Sequence, residues 1–164
     1  MITTKISITP YLAEYLFGKF NNGAIEPVHF TEKYDVYHAI WQLMQKRPKE
    51  LTCIDSGNLT IVLPDRRIGK DPSTYNYLSP YSALIIEKYI RRMFNEELHS
   101  MMDDNRNSGR FLQDIEVIHQ FMCSYSITSI DEDSLKKNYY RWRENIRKMR
   151  KRRNYTRCES TLNV

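Results

Sequence analysis

Glycine is scarce in these 164 residues, with five copies and no glycine-rich stretch, which excludes collagenous and low-complexity classes. Cysteine is scarcer still. Cys53, Cys123 and Cys158 are odd in number, widely separated and nowhere spaced as CxxC, so neither a disulfide framework nor a zinc site is expected; Cys123 is read as a buried core residue. His29, His38, His99 and His119 form no HxH, HExxH or HxxxH grouping, and no metal or other cofactor is expected. Long apolar runs are also missing: Leu84-Ile85-Ile86 meets Glu87-Lys88 at once, too short to span a bilayer. The start, MITTKISITPYL, lacks a charged beginning, a continuous apolar stretch and a small-residue cleavage site, so a cytoplasmic protein without membrane association is the expectation.

What is present is an ordinary apolar share of 41%, enough for a packed core, and an uneven charge. Residues 1–105 carry 12 Lys+Arg against 13 Asp+Glu, whereas residues 106–164 carry 13 against 7. Within residues 135–157 there are 11 basic side chains and one acid, Glu144. Solvated faces normally mix both signs, so this run points to a polyanionic partner.

Residues 1–64 read β-α-β-α-β. Lys5-Ile6-Ser7-Ile8 alternates as a half-buried strand, and Thr9-Pro10 supplies a cap and an N1 proline ahead of Leu12, Tyr15, Leu16 and Phe20. Val28-His29-Phe30, after Pro27, reads as a second, very short strand. A start signal at Thr31 precedes a helix through Tyr37, Ile40, Trp41 and Met44, and Leu59-Thr60-Ile61-Val62-Leu63 is the strongest strand. The polar stretch 65–79 reads as a linker. Beyond it the period is helical: Ser79-Pro80 opens a helix along Ile86, Ile90, Met93, Phe94, Leu98 and Met101, and Phe111, Ile115, Ile118, Met122 and Tyr125 trace another. The expected fold is α+β, a small three-stranded module over 1–64 followed by a three-helix part over 80–157, with 158–164 as a tail.

The informative segment follows Ser126. Ser129 and Glu132 have capping-box spacing, and Asp131, Glu132 and Asp133 place acids where a helix N-terminus favours them. From Leu135 the apolar residues Tyr139, Trp142, Ile146 and Met149 recur at steps of 4, 3, 4 and 3, committing one narrow face to the core. At 100° per residue Lys137, Arg141 and Lys148 lie opposite that face with Tyr140, while Lys136, Arg143, Arg147 and Arg150 line one flank. Lys151, Arg152 and Arg153 extend the run. A helix, a short turn with Ile127 and Ile130, and a basic helix is the layout of a helix-turn-helix reader. The cations would neutralise phosphates, Tyr140 would touch one, and Asn138 or Arg141 could read base edges in the major groove.

The stretch IDEDSLKKNYYRWRENIRK resembles the recognition-helix end of homeodomain-like helix-turn-helix proteins, in which an acidic start precedes a basic, Trp-Arg-containing helix. In layout the chain is similar to small DNA-binding proteins carried by bacterial prophages and other mobile elements. The resemblance implies a role in transcription regulation or element maintenance, with Lys137, Asn138 and Arg141 at the matching positions. The function expected is noncatalytic binding of double-stranded DNA, with homodimerisation or a partner protein as the task of residues 1–64. The alternative is a protein-interaction or assembly module whose basic helix grips RNA or other polyanions without sequence preference.

Catalytic readings fall on spacing. Gly69-Lys70 lacks the first glycine and the Ser or Thr of a phosphate loop. Tyr139-Tyr140 lacks the His or Arg set a DNA-cutting tyrosine requires, and Glu96-Glu97 and Asp103-Asp104 are adjacent acids that point to different sides of a helix. The Tyr75-Asn76-Tyr77 cluster packs the linker or stacks on a base, and the sequence does not decide between them.

Overall fold

The computed structural model describes residues 1–49 and 56–161, with side chains through residue 152. Two strands, β1 (Thr3–Ile6) and β2 (Leu59–Val62), pair antiparallel with Thr3 opposite Val62 and Ile6 opposite Leu59. Among the described residues there are five helices: α1 (Pro10–Asn21), α2 (Asp35–Leu43), α3 (Pro80–Asn107), α4 (Asp114–Ser124) and α5 (Glu132–Thr161). The fold is therefore helix-rich α+β, and the expected three-stranded module is replaced by a two-stranded sheet. The third strand shrinks to a single bridge. Val28 donates to Thr60 O and accepts from Val62 N, both at 2.9 Å, but Pro27 has no N–H to donate and Phe30 packs edge-on against Phe20.

The longest of the packed helices, α3, is central. Ser79 caps it by accepting the Ser82 N–H at 3.1 Å, Pro80 occupies its first turn, and Ile86, Ile90, Phe94, Leu98 and Met102 bury one stripe along it. Helices α1, α2 and α4 all pack on this stripe. Where α1, α3 and α4 meet, Tyr15 and Phe121 both set their rings edge-on to Phe94, at 5.2 and 5.3 Å. Gly18 of α1 lies so near the end of α4 that an added Cβ would stand 2.6 Å from the Tyr125 carbonyl oxygen.

Residues 65–79 form no helix or strand, yet they are fastened. Tyr77 exchanges backbone hydrogen bonds with Gln45, and Lys70 Nζ caps the end of α2 by donating to Met44 O at 2.8 Å and Gln42 O at 2.5 Å. The Arg66 guanidinium lies over Trp41 at 4.6 Å, and Gly69, at φ +116°, lets the loop touch the indole where a Cβ would meet Trp41 Cζ2 at 2.6 Å. The Gly-Lys pair thus serves to cover Trp41.

Three further expectations are corrected. Phe111 is 84% exposed, because Asn105 bonds both the N–H and the carbonyl of Leu112, and α4 starts only at Asp114, where Gln113 N donates to Glu116 Oε2 at 2.6 Å. The buried face of α4 is Val117, Ile118 and Phe121. Cys123, two residues past Phe121 and so across the helix, is exposed, with its Sγ 3.5 Å from His119 Nε2. Ser129 and Glu132 form no capping box: Glu132 opens α5 and binds His119 Nδ1 at 2.6 Å, while Ser129 turns to α1.

Two carboxylates join distant segments. Glu14 of α1 accepts from the turn between α4 and α5, taking Thr128 N at 2.7 Å, Ser129 N at 3.0 Å, Thr128 Oγ1 at 3.1 Å and the Ser129 hydroxyl. Glu97 of α3 accepts from Lys19, Tyr15 and Tyr125. Burial pushes both carboxyls up, but the hydrogen bonds more than reverse this and hold them below the ordinary 4.5. A carboxyl depressed by folding adds stability that is present above its unfolded value and is lost as pH falls through 4.5 towards the folded value. Urea midpoints measured from about pH 7 down to about pH 3 should therefore hold steady at first and then drop. Glu97→Gln should lower the neutral midpoint and make the acid decline shallower.

Candidate nucleic-acid interface

The base of α5 is docked and its far part is not. Leu135 and Tyr139 are fully buried, Trp142 and Ile146 partly so, and Met149 is 60% exposed; from Arg147 to Arg152 every side chain faces solvent. The apolar stripe thus leaves the core after about three turns, and the helix continues beyond as a basic arm. Asp131, just ahead of it, has its carboxyl held low chiefly by the Ser134 hydroxyl, which stabilises the first turn.

Helix α5 crosses α3 at His99 and Trp142, whose rings stack at 4.3 Å. His99 is buried, which lowers its pKa and favours the neutral ring, and Nε2 donates to Asn138 Oδ1 at 3.1 Å. Asn138 Nδ2 in turn donates to Asn95 Oδ1 at 3.1 Å. The Tyr139 hydroxyl donates to Asp103 at 2.5 Å; burial and this bond push the phenol up to about 12. Beside it, buried Asp114 accepts from Tyr140 and Arg106, each at 2.5 Å. Burial raises the Asp114 carboxyl, and these two donors bring it below its usual range.

The twelve residues proposed from sequence therefore separate into groups. Asn138 faces α3 with its amide already bonded on both ends, and the Tyr140 hydroxyl is held by Asp114, leaving only its ring half-exposed. Lys137, Arg141 and Lys148 share the outward face, with Lys148 at 3.9 Å from Glu144 and Arg147 paired to the same acid. Arg143 touches the Tyr139 hydroxyl at 3.5 Å. Lys136, Arg141, Arg150 and Lys151 have no acid partner among the described residues. Arg152 is exposed, and the side chain of Arg153 lies outside the described residues.

The crossing leaves a cleft on each side of α5. One, about 540 Å³, lies between Asp103 and Arg106 of α3 and the flank carrying Arg143, Arg147 and Arg150. The other, about 620 Å³, lies between Lys88, Arg91 and Arg92 of α3 and Asn138, Arg141 and Asn145 of α5. In the second, Arg91 is paired with Glu87 and Arg92 with Glu96. Sequence reasoning missed Arg106 and the α3 cations, since nothing local signals that α3 crosses the basic helix. Among the described residues no helix is long and apolar enough to cross a membrane, and no group of His, Cys, Asp or Glu is arranged to hold a metal ion.

No protein-family model, curated protein or solved structure matches the chain.

Proposed function

We propose that the chain is a noncatalytic, cytoplasmic binder of double-stranded DNA that offers α5 to the duplex. Lys137, Arg141 and Lys148 would face the groove, with Lys136, Arg143, Arg147 and Arg150 towards flanking phosphates. The observation that carries this reading is that Lys136, Arg141, Arg150 and Lys151 of α5 have no acid partner among the described residues, on a helix whose side chains from Arg147 to Arg152 are exposed. Unpaired, solvated cations on a rigid rod release counterions when they meet phosphates spaced along another rod. The helix-turn-helix likeness adds a role in transcription regulation or mobile-element maintenance, with residues 1–64 for self-association or a partner protein.

One observation favours the alternative, a polyanion or RNA grip without sequence preference: the Asn138 amide, the best candidate for reading adenine, is spent on Asn95 and His99. Fluorescence anisotropy with labelled duplex from randomised and selected pools separates the two. The duplex reading expects one enriched site and a log K against log salt slope of roughly −5 to −7. No enrichment, or RNA competing equally, overturns it in favour of the alternative.

A further inference from the structure

The flank of α5 that faces α3 is turned away from the outward face and closes the cleft of about 540 Å³. Five cations line this space from two helices, Arg106 from α3, paired with Asp114 outside it, and Arg143, Arg147, Arg150 and Lys151 from α5, Arg147 being paired with Glu144, against the single lining acid Asp103. That acid is already engaged, accepting the Tyr139 hydroxyl. Arg106 has a buried Nε with no hydrogen-bond partner among the described residues, and Arg150 and Lys151 have no acid partner there. A cleft with such an excess of positive charge is satisfied by a ligand carrying several negative charges close together. A monocarboxylate would leave most of it uncompensated.

The remaining lining is of another kind. Trp142 and Ile146 give an apolar wall along one rim, with Trp142 fixed in place by its stack on His99, and the Tyr140 ring lines the opposite rim beyond the arginines. Guanidinium groups pair with two phosphate oxygens at once, and a flat ring packs favourably on such a wall. The volume is within the usual range for a small-molecule site.

We infer that this cleft binds a nucleoside polyphosphate, with the phosphates on Arg143, Arg147, Arg150 and Lys151 and the base against Trp142 and Ile146. The site goes beyond the duplex reading and does not require it. Because it uses cations that would also meet DNA phosphates, a bound nucleotide competes with duplex wherever both bind.

Trp142 is the natural reporter, and Trp41, the other tryptophan of the chain, lies under Arg66 in a different region. In a Trp41→Phe background, adenosine or guanosine triphosphate should quench Trp142 saturably, with half-saturation at or below about 100 µM in about 0.15 M salt. Inorganic triphosphate should bind at least about tenfold more weakly, lacking a base for the aromatic wall. Replacing Arg150 and Lys151 by serine should weaken the nucleotide about tenfold, whereas Lys137→Ser with Arg141→Ser should change it by less than about twofold.

The inference is overturned if no nucleotide saturates by about 1 mM, if inorganic triphosphate binds as well, or if both pairs of substitutions cost the same, as diffuse charge would. Duplex anisotropy on the same variants keeps the two readings apart. Nucleotide binding without duplex binding removes only the DNA reading, and duplex binding without nucleotide removes only the cleft.

Discussion

Gly18→Ala is expected to lower the stability of the protein by about 2 kcal/mol, even though alanine is the better helix former by about 1 kcal/mol. Gly18 lies inside α1, where a methyl group would normally help. Here that methyl would sit 2.6 to 2.9 Å from the carbonyl oxygen, Cα and carbonyl carbon of Tyr125. These are backbone atoms, so no side-chain rotation relieves the contact; α1 or the end of α4 must move, and with it the ring cluster of Tyr15, Phe121 and Tyr125. For a chain of this length the loss corresponds to a fall of roughly 6 °C in the thermal midpoint. Calorimetry or urea unfolding measures it, and a raised midpoint would mean that α1 does not approach Tyr125 this closely.

Converting Lys137 and Arg141 to glutamate is expected to weaken duplex binding by about 100-fold or more at near-physiological salt, and to flatten the salt dependence. Both side chains are exposed on the outward face of α5, and neither takes part in the contacts that dock the helix. Each substitution therefore removes a cation and adds an acid facing the phosphates, with little cost to the fold. Anisotropy on the variant, with a thermal midpoint within about 2 °C of the parent, isolates the electrostatic effect. Unchanged binding would move the duplex contact off this face.

The periodicity of the sequence located five helices, because Ser79-Pro80, Thr9-Pro10 and the 4, 3, 4, 3 stripe on α5 are local signals that tertiary packing reinforced. The failures came where the answer was not local. Val28-His29-Phe30 has strand composition, but a strand needs an accepting edge, and Pro27 and Phe30 leave only Val28 in place. Cys123 lies on the wrong side of α4, whose rotation is set by α3, and Phe111 precedes that helix altogether. Asn138 sits at a position a groove-reading helix would use, and its commitment to Asn95 and His99 depends on α3 lying across it. Thr9 holds the N-cap position of α1 ahead of Pro10, but its hydroxyl is spent on Glu87 of α3 and makes no hydrogen bond to the first turn. The charge imbalance of α5 was fully legible, since counting needs no fold; Arg106 was invisible for the opposite reason.

The reach of Glu14 also bears on how the molecule is made. Its carboxylate, near the start of the chain, meets Thr128 and Ser129, more than a hundred residues later, and Gly18 awaits Tyr125 across nearly the same interval. A ribosome releasing the chain from its N-terminus delivers α1 long before the segment that covers it. Until then the face around Tyr15 is open, and Glu14 and Glu97 lack the donors that segment supplies. Closure of so long a loop makes this joint late in folding and leaves nascent α1 dependent on shielding during synthesis.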